Sequence, residues 1–154
     1  MKPILKILFL SFLATACSAE SQPKSIRGKI SMSSNLSSKV GASDVVLVMV
    51  YPQNPIPESS PKPESTSSIE SQTILPIAVK KIAPAVFPIA YSITEDDVVF
   101  PEKRFVEKMF IAARVDKDGN TNTLESGVME GVYKKNPVNV GSKNIDFTID
   151  KLKP

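Results

Sequence analysis

Side chains able to hold a metal or move a proton fall in few places along this chain. Asp116, Asp118 and Asn120, with Asn122 or Glu125 beyond, offer alternate oxygen ligands in the manner of a calcium loop. An EF-hand needs Gly at its sixth position and Glu at its twelfth. Counted from Asp116, those places hold Thr121 and Gly127. The flanking segments read as strands, so the expectation is a solvated hairpin turn. Glu95, Asp96 and Asp97 stand together, but two carboxylates share acid/base work only in a cleft that gives them different environments. Adjacent acids read more simply as an exposed turn. The basic pairs Lys80-Lys81 and Lys134-Lys135 could each draw on anionic lipid, at up to about 1 kcal/mol per Lys; solubility is the simpler role. There is no His, which removes His-based catalysis, His-ligated metals, haem held through a His ligand and blue-copper chemistry. Neither a G-x-S-x-G elbow nor a phosphate loop is present, and no spacing singles out a Ser-Lys pair. The chain is therefore expected to be no enzyme, with no catalytic, cofactor-binding or metal-binding residue.

One residue does carry a covalent expectation. The single cysteine, Cys17, follows Leu13-Ala14-Thr15-Ala16, which resembles a bacterial lipobox. In such signals the thiol receives a diacylglycerol, the leader is cut before the Cys, and the new amino group is acylated. Residues 1–16 fit the leader: Lys2 and Lys6 form a positive end, and Ile7 to Leu13 an apolar run broken only by Ser11. That run is too short to span a bilayer as a stable anchor. Two or more acyl chains hold durably, because each buried methylene contributes about 0.8 kcal/mol. Ser18 suits sorting to the outer membrane of a two-membrane cell. The alternative is an ordinary signal peptide cut near Ala16 or Ala19. One Cys also means no internal disulfide and no thiolate metal cluster.

The elements behind these residues must come from one domain, since 154 residues cannot build two full cores. The formal charge is +3. Removing Lys2 and Lys6 with the leader leaves 17 basic against 16 acidic side chains. So neutral a surface argues against nucleic acid, which needs a clustered basic face. Residues 17–25 begin with the lipidated Cys and read as a flexible tether. The domain is placed at 26–154, with a Pro/Ser/Glu-rich insertion at 52–72 that holds five of the 13 prolines.

Within the domain the signals are those of short strands. Ile26, Gly28, Ile30 and Met32 alternate with polar residues, the period of a half-buried strand. Ser33 to Lys39 fits one helical turn or a tight connection. Val45 to Tyr51 is an unbroken apolar run of strand length, expected in the middle of a sheet with both faces covered. Strands are also expected over Ile74–Ile82, Phe87–Ile93, Met109–Val115, Gly127–Lys134 and Asn144–Lys151, with a short one at Val98–Phe100. Pro76 and Pro88 remove ladder donors and belong at strand starts, bulges or edges. Gly131 marks a bulge or a close backbone approach. No segment sustains helical periodicity beyond about two turns. The fold class is therefore all-β, an immunoglobulin-like antiparallel sandwich of seven or eight strands. In such a sandwich an exposed strand edge can accept an extended peptide without any special side-chain chemistry.

The pieces LPIAVKKI (75–82), FPIAYSI (87–93) and FIAARVDKDGN (110–120), in that order, follow Gly28–Met32 and Asp44–Val50 and precede Ile145–Ile149. Together they resemble the C-terminal periplasmic immunoglobulin-like domain of the c-type cytochrome biogenesis protein H family (CycH, also called CcmI). The resemblance spans nearly all of residues 26–152. It implies a protein-binding module without a cofactor of its own that helps present apocytochrome c to the haem-ligation machinery. The family's membrane helices and tetratricopeptide repeats have no counterpart here, so the fold transfers better than the role, and no binding residue carries over. The expectation is a lipid-anchored bacterial envelope protein facing the periplasm. Its partners would be apocytochrome c or other envelope proteins, and the membrane through Cys17. A structural lipoprotein supporting a larger assembly is the alternative.

Overall fold

The structure is a computed structural model that describes residues 24–52, 74–100, 102, 105, 108–117 and 127–154. The leader, Cys17, most of the tether and all but Pro52 of the proposed insertion lie outside the described residues.

Nine strands form among the described residues: β1 (Ser25–Met32), β2 (Val45–Tyr51), β3 (Ala78–Ile82), β4 (Ile89–Thr94), β5 (Lys108–Asp116), β6 (Met129–Val132), β7 (Val138–Asn139), β8 (Phe147–Ile149) and β9 (Lys151–Leu152). A single helical turn, α1 (Ser34–Ser37), follows β1, and a 3-10 turn covers Glu95–Asp97. One sheet runs β4-β1-β8; the other runs β3-β2-β5-β6-β9, with β7 added against β5. All pairings are antiparallel except β1 with β8, which is parallel. The immunoglobulin-like sandwich expected from the sequence is thus what forms, with one more strand than the upper count and one parallel pair. No helix among the described residues is long and apolar enough to cross a membrane.

The sheets meet over a core that includes Ile26 and Ile30 of β1, Val46, Val48 and Val50 of β2, Tyr91 and Ile93 of β4, Met109, Ile111 and Ala113 of β5, and Phe147 and Ile149 of β8. Period-2 alternation selects these residues, since each strand turns every second side chain inward. Burying an Ile or Val fully contributes about 1.5–3 kcal/mol. β2 is the exception to alternation: all seven residues are buried, because it lies between β3 and β5 and its other face carries a second apolar cluster. That cluster joins Val45, Leu47, Met49, Tyr51 and Ala112, with Ile74, Val79, Phe110 and Val132 packed against it.

The two sides of the sandwich differ. On one, the chain leaves the small sheet after β8, and β9 joins the large one. The Asp150 amide donates to the Glu130 carbonyl (3.2 Å) and the Lys153 amide to the Val128 carbonyl (2.9 Å), so the sheets are stitched together. On the other, β3 and β4 are the terminal strands of their own sheets. Each begins just after a proline, Pro76 and Pro88, that the sequence placed at a strand start or edge. The short strand expected at Val98–Phe100 reduces to one bridge between Val98 and Ala78. Only the Val99 amide, donating to the Ile77 carbonyl (2.8 Å), continues it.

Candidate peptide-binding edge

The direction of backbone groups along β4 follows from its partner. The Arg27 amide donates to the Ser142 carbonyl, the Ile145 amide to the Arg27 carbonyl and the Gly141 amide to the Ser25 carbonyl, each at 3.0 Å. Ser25 and Arg27 therefore turn their backbone away from β4. In an antiparallel ladder hydrogen-bonded and non-bonded pairs alternate. The bonded pairs between β1 and β4 must then be Ile26–Ile93, Gly28–Tyr91 and Ile30–Ile89. The amides and carbonyls of Ala90 and Ser92 point outward, and they meet no partner among the described residues. The next outward amide, on Thr94, is already taken: it donates to Asp97 Oδ2 at 2.8 Å.

The side chains of β4 leave this edge open. Its sequence, Ile-Ala-Tyr-Ser-Ile-Thr, has no charge, proline or glycine; such residues are the usual devices that stop an edge from pairing. β3 differs, carrying Lys80 and Lys81. Three of the four exposed large apolar side chains, Leu75, Val86 and Val99, lie in the segments that bound this side. Ile82, Phe87 and Val98, from the same segments, are only partly buried against the core.

Tyr91 ties β4 to the interior. Its hydroxyl donates to the Ile145 carbonyl at 2.8 Å, and its ring meets Phe147 edge-on at 6.2 Å. Burial raises its pKa above the ordinary 10.0, with Asp146 and then Tyr133 adding to the shift. Burial likewise raises Tyr51, with Arg114 opposing and Glu130 adding. A raised folded-state pKa means that the unfolded chain gives up this proton first. The stabilisation is fully present below pH about 10 and is lost as the pH climbs above it. Urea midpoints are therefore expected to fall progressively above that pH, and Tyr91→Phe to flatten the fall. An alkaline limb unchanged in that variant would count against Tyr91 as its source.

The other residues singled out by sequence have structural settings. Glu95, Asp96 and Asp97 form the 3-10 turn, capped by Thr94. Asp97 accepts from Lys80 Nζ at 3.0 Å, which ties β3 to the end of β4. Asp97 is thus a clamp between β3 and the end of β4. Lys81 is exposed. Lys134 and Lys135 line a groove of about 390 Å³ together with Asp146 and Asp150; Asp146 is itself held by the Lys29 amide at 2.7 Å. Asp116 is buried and paired with Arg114 at 3.0 Å. Asp118, Asn120, Asn122 and Glu125 lie outside the described residues. Among the described residues no group of three or more acidic, Cys or His side chains is placed to hold a metal.

No family model, curated protein or solved structure matches the chain. The site therefore rests on geometry. Sequence pattern placed Pro88 beside an edge, but it did not single out Ala90 and Ser92. The available signal was the lack of charge in β4, which becomes informative only once β4 is known to end its sheet.

Proposed function

We propose that this chain is a lipid-anchored, non-enzymatic envelope protein that holds an extended polypeptide by adding it as a strand to β4. One observation carries the reading: the outward amides and carbonyls of Ala90 and Ser92, on a strand with no protecting charge. Strand addition draws its affinity from main-chain hydrogen bonds, which suits a domain whose reactive side chains are few. The ligand must be unfolded where it binds. Apocytochrome c before haem attachment is such a ligand, and the resemblance of residues 75–82, 87–93 and 110–120 to the CycH domain favours it.

Binding of fluorescent apocytochrome c to the full chain in detergent tests this. Saturable binding is expected, with folded holocytochrome c failing to compete. Ser92→Pro removes an outward amide and narrows the backbone. One lost bond of about 1 kcal/mol weakens binding by about fivefold. A Ser92→Pro protein that still unfolds cooperatively and binds as tightly as the parent would remove β4 from the account. For the anchor, Cys17→Ser is expected to move the protein from the membrane to the soluble fraction of cells; retention in the membrane would show that lipid on Cys17 is not what holds it.

A further inference from the structure

We infer that the end of the sandwich where β1 begins rests on the membrane, with the apolar pairs Leu75-Pro76 and Val99-Phe100 pressed into the lipid headgroup layer. The inference rests on the lipid-anchor reading and deepens it; it does not depend on β4 as a peptide site. Backbone pairing puts these residues at one end. Ser25 opens β1 and lies opposite Thr94, the last residue of β4. The chain then makes the Glu95–Asp97 turn and bridges to β3 through Val98 and Ala78. The Val99 amide donates to the Ile77 carbonyl, and the Ile77 amide to the Val50 carbonyl, both at 2.8 Å. Leu75 and Val99 thus lie at the Tyr51 end of β2, and Ser25 lies at the same end of the other sheet. Leu75 is 52% exposed and Val99 51%; Pro76 and Phe100 are partly buried. Single exposed apolar side chains are ordinary on a surface, but two apolar pairs brought side by side by the backbone are a patch.

The length of the anchor names the occupant. From Cys17 to Ser25 the chain has eight steps and reaches at most about 29 Å. β1 itself has eight residues and runs about 27 Å. Lipid on Cys17 therefore holds the Ser25 end close to the bilayer with chain to spare. The other two exposed large apolar side chains, Val86 and Leu152, stand at the far end. There the Ala85 amide donates to the carbonyl of Asp44, just before β2, and Leu152 pairs with Met129, which pairs with Val115. Seating those two on lipid would need the domain inverted and the anchor segment drawn almost straight along β1. Charge adds little at the Ser25 end, where exposed Lys24 and Lys108 are matched by exposed Glu95 and Asp96. The contact is therefore apolar and insensitive to salt, at the depth of about 5–10 Å where interfacial apolar groups sit.

The test uses the full protein purified from cell membranes and reconstituted into phosphatidylcholine vesicles that carry doxyl-labelled acyl chains. Val99→Cys and Val86→Cys proteins are each labelled at the substituted position with a nitrobenzoxadiazole fluorophore. The label at position 99 is expected to be quenched about threefold or more as strongly as the label at position 86, as a shallow seat in the lipid requires. The difference is expected to persist at 1 M salt, where the screening length is about 3 Å. Adding Leu75→Asp to the position-99 protein is expected to cut its quenching by about half, because a charge beside the label opposes burial in the headgroup layer. Equal quenching at the two positions, loss of quenching in high salt, or no effect of Leu75→Asp overturns the inference while flotation of the protein with the vesicles keeps the anchor. If the parent chain does not float with the vesicles, or Cys17→Ser floats as well as the parent, the anchor and the inference fall together.

Discussion

Gly28→Ala and Gly131→Ala are each expected to destabilise the protein by about 3 kcal/mol, at the upper end of what overpacking a core does. The reason is backbone against backbone. A Cβ on Gly28 would fall on the carbonyl of Ile145, with Ile145 N only 2.9 Å away. A Cβ on Gly131 would fall on the carbonyl of Thr148, with Ile149 Cα at 2.8 Å. In neither place can a flexible side chain swing aside. Both glycines serve one purpose, the seating of the C-terminal segment. Where β1 lacks a side chain, the chain at Ile145 passes over it, and the Tyr91 hydroxyl satisfies the carbonyl that this pass buries. Where β6 lacks one, β8 lies against it just before crossing to the other sheet. Urea denaturation of each variant measures the loss. A midpoint equivalent to less than about 0.5 kcal/mol of change, the range of neutral surface substitutions, would mean that these contacts are looser than described.

Ile93→Ala is expected to lower stability by about 2–5 kcal/mol, the usual range for truncating a fully buried Ile. Ser92→Ala, one residue earlier, is expected to stay within about 0.5 kcal/mol. Ile93 is wholly buried in the core, whereas Ser92 is partly exposed and its side chain makes no hydrogen bond among the described residues. The contrast tests the register on which the candidate edge depends. If β4 were slipped by one residue, Ser92 would be the inward one and Ala90 and Ser92 would no longer face a ligand. Similar losses at both positions, measured by urea denaturation, would therefore undermine the register and the proposed site together.

Legibility varied along the chain for physical reasons. β1, β2 and β5 were readable because apolar side chains were distributed as a sheet requires: alternating in β1, unbroken in β2, and interrupted between Met109 and Val115 of β5 only by Arg114. The C-terminal alternation at Ile145, Phe147 and Ile149 held in burial. It did not form the one long strand expected over 144–151, because the chain passes from one sheet to the other between β8 and β9. Alternation records which side faces inward; it does not record which strand lies alongside. For the same reason the parallel pairing of β8 with β1 had no signature. The Val98–Phe100 segment looked apolar enough for a strand, yet it makes a single bridge.

The lone Cys17 behind small residues, the lack of His and the near-neutral charge were matters of sequence alone, as were the all-β class and the inward side of each main strand. Residue type and spacing suffice for these, since they depend on local chemistry and on a period of two. Only the tertiary structure decided that β4 ends its sheet, that Ala90 and Ser92 turn their backbone to solvent, that Asp97 closes that edge, and that Gly28 and Gly131 are contact points. Each of these depends on which distant segment lies alongside, and a single strand's sequence does not encode its neighbour.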